Sequence, residues 1–474
     1  MANTSLVRRL PMARDLDADA LGRLDAVRSA CRQHLELRGY RQLDTPLLEQ
    51  TELFLRKSGG ELASRLYSFA DPGGYPVSLR PEFTAPVIRH VIEVVGTAGT
   101  PLRYHYCGPV FRYPTPGTPA EQEPGVFVQA GAELIGGAAP FGDGEIISTA
   151  WSGLEELGVK SPRVTIGHVG LLWQLLGNFG LSDRAQHFLV QSVGRLRAGK
   201  DAVAGTRKAA QEMGLFRSNG STAKDGGSGG ASTDAVESLL SRTLGGPIGQ
   251  ISGARTAEEV MARLARKLQS LDDEAALNRA LEFVAALATV RGPVAATVKR
   301  GRAAARAAGL GDAPFAGLVA VVESAVAQGV PENSITVDFG LARDIAYYTG
   351  CVFDLTASDG TTSLGGGGRY DGLMNSLGAG EDIPAIGFAY NLDVLVEVLP
   401  GARQGKPRKC ELIAPASPDA MQAAIAYAAE LRRSGTAAIV SPPATKQELR
   451  AAARACGAGV VLVAADGSTT RVPA

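Results

Sequence analysis

The chain has 474 residues, 45% hydrophobic and 20% charged, which is enough for a sizeable core and two or three domains. Lysine plus arginine and aspartate plus glutamate each number 48, so no global field draws the chain to nucleic acid or to an anionic membrane. Five scattered cysteines (Cys31, Cys107, Cys351, Cys410, Cys456) form no C-x-x-C, and five scattered histidines form no H-E-x-x-H. That argues against a zinc site, a disulfide framework and a metalloenzyme.

No apolar window approaches the ~18 residues of a membrane helix. The N-terminus, MANTSLVRRLPMARDLDADA, lacks the apolar run of a secretory signal. A cytoplasmic location with reduced thiols is expected.

Asp19 to Gly39 reads as an amphipathic helix, with Leu21, Leu24, Val27, Cys31 and Leu35 at helical spacing and Gly39 at its C-cap. Tyr40 to Thr45 is short and extended, and ends at Pro46. Tyr75 to Arg80 is strand-like. Pro81 and Glu82 then suit the first turn of a helix running to about Val95, by the proline preference and the helix dipole.

Leu102 to Tyr113 and Gly125 to Ile135 both alternate around a Pro-rich loop, and read as an antiparallel pair. Period two places Phe127, Gln129, Gly131 and Glu133 on one face. An inward Gln and Glu cost desolvation unless a partner satisfies them.

Arg163 to Val169 reads as a strand, Leu171 to Gly177 as helical and Asp183 to Gly214 as helical. Ser218 to Thr233, SNGSTAKDGGSGGAST, is a Gly/Ser linker without core-forming residues. Helical patterns resume from Asp234 to Ala327.

Val337 to Phe339 and Thr349 to Leu355 alternate like strands, with Arg343, Tyr347 and Tyr348 between them. Two phenols and a guanidinium so close together suit a small polar ligand with a flat ring. Gly365 to Gly368 follow, where a ligand or another backbone can approach closely. A plain glycine hairpin or bulge is the simpler reading of that run by itself. It fits neither G-x-x-x-x-G-K-[ST] nor G-x-G-x-x-G, because position 371 is Asp. After Pro400 and the linker GARQGKPRK, Lys409 to Ala464 alternates strand, helix, strand, helix, strand, which predicts a small parallel sheet covered by helices.

The strings RDIAYYTG (Arg343 to Gly350), LGGGGRYDGL (Leu364 to Leu373) and IGFAYNL (Ile386 to Leu392) resemble the core of histidyl-tRNA synthetase. They resemble still more its paralogue, the regulatory subunit of ATP phosphoribosyltransferase. The helix, strand and Pro46 at the start resemble class II motif 1, which implies a homodimer burying Leu21, Leu24 and Val27. LRPEFTAPVIRH (Leu79 to His90) and FVQAGAELIG (Phe127 to Gly136) are similar to the two histidine-contacting segments.

The resemblance implies an α+β fold: a class II synthetase-like antiparallel sheet flanked by helices over residues 1–400. It adds a helical insertion over about 180–330 and a shortened, locally basic anticodon-binding-like α/β domain over 407–474. It also implies a histidine site made of Glu82, Thr84, Gln129, Glu133, Arg343, Tyr347, Tyr348 and Tyr370.

The same resemblance weighs against adenylation. FRYP keeps the motif 2 arginine as Arg112, a vestigial ATP-site residue, but has Pro114 where a carboxylate reads adenine. Motif 3 has Asp393 and Val394 in place of a Glu-Arg pair. Losing one such charge contact costs about 3–4 kcal/mol in a transition state. The loop Pro114 to Gly125 carries Glu121 and Glu123 and no cation, which repels tRNA phosphate.

The expectation is therefore a non-catalytic histidine-binding regulatory subunit of ATP phosphoribosyltransferase, without cofactor or metal. Its partners would be a short catalytic subunit and L-histidine, and no nucleic acid is expected. An active histidine–tRNA ligase, favoured by the basic C-terminal domain, and a tRNA-sensing paralogue are the alternatives. Asp344 and Ala346 depart from the synthetase pattern beside Arg343.

Overall fold

The computed structural model describes residues 8–10, 12–56, 59–96, 100–115, 124–216, 272–341, 347–399 and 410–473. Several sequence readings lie outside the described residues. These are Arg343 with Asp344 and Ala346, Glu121 and Glu123, the 218–233 and 401–409 linkers and the helical pattern over 234–271. The chain divides into two compact units, Met1–Asp15 with Val27–Pro400, and Leu16–Ala26 with Gly401–Ala474.

Strands in chain order are β1 (Arg41–Gln42), β2 (Leu48–Gln50), β3 (Ser68–Ala70), β4 (Pro76–Leu79), β5 (Leu102–Phe111), β6 (Val126–Ile135), β7 (Arg163–His168) and β8 (Arg291–Gly292). Then come β9 (Ile335–Asp338), β10 (Cys351–Thr356), β11 (Ser363–Arg369), β12 (Ala385–Asn391), β13 (Cys410–Pro415), β14 (Ala437–Val440), β15 (Ala458–Val463) and β16 (Thr469–Val472). The larger unit is built on a nine-stranded sheet ordered β1-β5-β6-β12-β11-β10-β7-β9-β8. Only its β1/β5 and β7/β9 pairs are parallel. With its flanking helices this is the α+β, class II synthetase-like architecture that the sequence implies.

A β2-β4-β3 sheet precedes the helix Thr84–His90, which runs into a π turn, Val91–Val95. The helix begins later than the Pro81 reading places it. Two local bonds explain this: the Pro81 carbonyl accepts from Arg112 Nε at 2.8 Å, and the Arg80 carbonyl accepts from the Phe111 amide at 3.0 Å. Glu82 instead caps from outside, its carboxylate accepting from the Ala85 amide at 3.2 Å.

Asp183 to Gly214 is two helices, Asp183–Leu196 and Lys200–Glu212, because Gly199 takes φ 99° between them. In the first helix, Ala18–Leu37, Leu24 and Val27 are each 3% exposed while Leu21 is 42% exposed. Leu24 and Val27 are thus buried in the single chain, and Leu21 is the exposed member of the three.

The glycine run lies in the second strand of an antiparallel β10/β11 pair, directly after a register shift at Leu364. Gly365 to Gly368 lie inside β11, bonded on both sides to β10 and β12. A Cβ on Gly367 would stand 1.9 Å from the Gly387 carbonyl oxygen, and one on Gly365 2.3 Å from that of Ala389. No strand with side chains there could pair so tightly.

The C-terminal sheet runs β14-β13-β15-β16. Its first three strands are parallel, and β16 adds an antiparallel edge that the sequence reading lacked. Ile413 and Val461 pack with Ala424 and Ala428, while Leu412 and Val460 pack with Leu449 and Ala453. Helices Met421–Arg433 and Lys446–Cys456 thus bury one stripe each, the second starting from a Thr445–Glu448 capping box. Among its cations, Arg432 donates to the Ala438 carbonyl and Arg450 to that of Pro473.

Gly367→Ala should destabilise the larger unit by roughly 3 kcal/mol, the upper range for overpacking. Urea unfolding of the variant checks it. An unchanged midpoint would contradict the close approach of β11 and β12.

Candidate functional site

Register aligns two adjacent rows of side chains on one face of the central strands. One row reads Tyr106, Gly131, Ala389, Gly366, Asp354 and Thr165. The next reads Tyr104, Glu133, Gly387, Gly368, Val352 and Gly167. Small residues occupy the middle of both rows, so the sheet presents a trough with Glu133 and Tyr106 at one end and Asp354 at the other. Over it lies a cavity of about 240 Å³, below the ~300–1,000 Å³ of drug-sized pockets and suited to an amino-acid-sized ligand.

Glu133 is 1% exposed. Its Oε1 accepts from Thr84 Oγ1 at 2.7 Å and from the Tyr106 hydroxyl at 3.0 Å, and its Oε2 accepts from the Tyr370 hydroxyl. The partner that an inward carboxylate demands is therefore supplied by the chain. Thr84, Tyr106 and Tyr370 line the cavity, with Glu133 one layer behind them.

Burial pushes the Glu133 carboxyl up to about 7, against the pull of the Tyr370, Thr84 and Tyr106 hydroxyls. Gly387 has to be glycine, since a Cβ would fall 1.6 Å from Glu133 Oε2.

Glu82 is also buried. Desolvation raises its pKa, and the Ala85 amide and the Arg112 charge act the other way. Gln129 lines the cavity at 9% exposure. Tyr347 is buried, its ring 5.2 Å from that of Tyr348 and 5.6 Å from that of Tyr370, centroid to centroid. Tyr348 leans onto Gly368, where a Cβ would come within 2.8 Å of its ring.

Seven of the eight residues expected from the sequence thus gather at or directly behind one cavity, while Arg343 lies outside the described residues. Sequence reading passed over Phe83, Tyr106 and Asp354, which also line it. An inward Asp in the otherwise apolar CVFDLT, and Tyr106 in an alternating strand, were the available signals.

Arg112 lines the cavity too, its guanidinium carbon 5.3 Å above the Phe127 ring. Asp393 faces elsewhere: its Oδ2 accepts from the Val128 amide at 2.6 Å, and its Oδ1 pairs with Arg14. Val394 is in the first turn of the helix Leu392–Val398, beneath the Asn391 cap.

The family model described as histidyl-tRNA synthetase matches residues 12–221 and 248–395. A histidine–tRNA ligase of Methanocaldococcus jannaschii is 26% identical over 80% of this chain and 73% of its own. One of Pyrobaculum arsenaticum is 28% identical over 89% and 81%.

Among solved structures, the Bacillus halodurans protein described as an ATP phosphoribosyltransferase regulatory subunit/histidyl-tRNA synthetase superposes with a TM-score of 0.66. It is 20% identical and covers 98% of this chain and 99% of its own. Apo histidyl-tRNA synthetase of S. aureus gives 0.55 at 20% identity, over 98% and 97%.

Glu133 gives the site a pH signature independent of any ligand. Its folded pKa lies above the unfolded value, so between about 4.5 and 7 the folded state holds a proton that the unfolded chain releases. Its contribution to stability is fully present below that window and is lost as pH rises through about 7. The difference is roughly 3 kcal/mol for a shift of this size. Glu133→Gln should remove that part of the slope in urea unfolding between pH 4.5 and 7.5. Parallel profiles for the two proteins would show that Glu133 does not titrate there.

Proposed function

Because the chain belongs to the histidyl-tRNA synthetase family, we propose that it keeps the amino-acid pocket of that family as a sensor. On this reading it is a non-catalytic, histidine-binding regulatory subunit of ATP phosphoribosyltransferase, acting at the first step of histidine biosynthesis in the cytoplasm. The observation that carries the proposal is the contrast between the two halves of the site. Acceptors and hydroxyls of the amino-acid half converge on one cavity, whereas Val394 stands where adenylation calls for a fixed cation and Asp393 is bonded to Arg14 and the Val128 amide.

The roles follow from chemistry. Glu82 accepts the α-ammonium, aided by Thr84 and Gln129. The hydroxyls of Tyr106 and Tyr370, polarised by Glu133, meet the imidazole edge, and Tyr347 and Tyr348 pack on its face. The family resemblance assigns the ligand carboxylate to Arg343, and Arg112 lines the cavity as a cation. The partners are a short catalytic phosphoribosyltransferase and a second copy of this chain through the motif 1 region. For histidine to regulate, it must bind two states of that complex unequally.

A second reading, an active histidine–tRNA ligase, is favoured by the names of the curated relatives. Two measurements separate them. Histidine-dependent pyrophosphate–ATP exchange should be absent from the pure protein, and a rate typical of synthetases would establish the ligase instead.

Calorimetry should detect histidine binding. Glu82→Gln should weaken it by about 2–5 kcal/mol, the cost of breaking a buried charge pair. Added to a short phosphoribosyltransferase, the wild type should raise activity and confer inhibition by histidine. If it binds no histidine, or the mixture shows no feedback, the regulatory reading fails.

A further inference from the structure

Arg80 is a buried cation that the proposed function does not use. Its side chain is 2% exposed, and the carboxylate nearest it, Asp44 at 3.4 Å, is 82% exposed. Its remaining hydrogen-bond partners are neutral, and a second carboxylate, Glu49, acts on it only through space. Nε donates to the Pro109 carbonyl at 3.0 Å, and Nη1 to Thr45 Oγ1 at 3.2 Å and to the Thr45 carbonyl. A guanidinium so weakly compensated is costly to bury, and residues around it are fitted to it. Gly108 has no room for a side chain, since its Cβ would stand 2.6 Å from Arg80 Nη2.

One direction gives the placement a use. The guanidinium carbon lies 3.9 Å over the centroid of the Phe83 ring. On its other side Phe83 stacks on Tyr106, centroids 4.3 Å apart and planes 8° from parallel. Tyr106 ends in the hydroxyl that donates to Glu133 at 3.0 Å. Three flat groups are therefore layered in series, and Phe83 and Tyr106 both line the cavity.

We propose that Arg80 is a positioning residue for this site: clamped by Thr45 and Pro109, its planar fork fixes Phe83, and Phe83 fixes Tyr106 so that its hydroxyl stays on Glu133. Stacking needs the plane as well as the charge, and lysine supplies only the charge. Loss of the Tyr106 bond takes one of three donors from the Glu133 carboxylate, so Glu133 holds its proton to higher pH. The other titratable groups around Glu133 are Glu82, Tyr370, Tyr347 and Tyr40, and none of them is substituted in the variants below.

The test needs no ligand. The pH dependence of urea unfolding is measured in pairs with and without Glu133→Gln, and the difference isolates Glu133. In an Arg80→Met background the upper edge of its window should move up by about one pH unit. Arg80→Lys should recover most of the melting temperature and leave the shifted edge. Phe83→Leu should give the same shift with Arg80 intact, so a poorly folding Arg80→Met leaves two variants to decide. Arg80→Lys combined with Phe83→Leu should shift no further than either alone, as for residues acting in one series. An unmoved edge in Arg80→Lys and Phe83→Leu, or shifts that add, would overturn the proposal.

The functional consequence rests on the histidine-binding reading and is read separately. Arg80→Lys should weaken histidine roughly tenfold, the loss expected from a misplaced hydrogen-bond partner. If the wild type binds no histidine while the window still moves, the functional reading fails and the positioning role stands.

Discussion

A carboxylate sealed from water must be given its donors by the chain, and the site is organised by how Glu133 gets them. Thr84 comes from the helix that follows β4, Tyr106 from β5 and Tyr370 from the residue after β11, while Gly387 on β12 leaves the space the carboxylate fills. Four segments separated widely in sequence have to arrive together for one buried group to be satisfied. Such a network is costly if any member is missing, so it specifies the relative placement of the segments as well as the chemistry of the cavity wall. An apolar residue at 133 would take from three hydroxyls the acceptor they share.

The opposite face of the sheet is held by a buried charge pair beside the stretch that carries Tyr370. Arg369 Nε donates to Asp143 Oδ1 at 2.8 Å, while its other nitrogens reach Asp371 Oδ1 and the Gly137 carbonyl, each at 3.0 Å. Gly350 lies so close that a Cβ would meet Arg369 Cδ at 2.8 Å, and the Thr349 amide donates to the Arg369 carbonyl at 2.8 Å. One residue, through its backbone carbonyl and its side chain, thus ties the turn that leads from Tyr347 and Tyr348 into β10 to the stretch that presents Tyr370. Cys351 shares Asp143 Oδ1 at 3.1 Å, and burial pushes its thiol pKa well up. A neutral thiol there can donate to the carboxylate without adding a second negative charge.

How much of this could be read from the sequence follows from where each signal lives. The β5 and β6 strands were legible because alternation is local, and so was the inward set Gln129 and Glu133. The helix Phe141–Leu157 was not, since Gly142, Gly144 and Gly153 interrupt its pattern. Those glycines answer to tertiary contacts: a Cβ on Gly144 would strike Ser324 Oγ at 2.3 Å, and one on Gly153 the Tyr390 hydroxyl at 2.5 Å. The late start of the helix at Thr84 and the strand made of glycines have the same origin, in carbonyls and strands supplied from elsewhere in the chain. Tyr106 escaped notice because its role depends on Phe83 and Glu133 coming to either end of it.

The fold is indifferent to whether the neighbouring half of the trough binds a nucleotide. The sheet needs β12 and its helix at Leu392 regardless, and Asp393 now serves that architecture by fastening β6 through the Val128 amide and the N-terminal segment through Arg14. An acid bonded this way contributes to stability whether or not ATP is ever bound. A catalytic cation is different: its value lies in the charge it places against phosphate, so on the regulatory reading proposed above a valine at 394 is a change the architecture can accept. The half around Glu133 has no such freedom, because the hydroxyls that hold its carboxylate also line the cavity. On the regulatory reading proposed above, nucleotide chemistry can therefore be lost and the amino-acid pocket kept without the scaffold first becoming unstable.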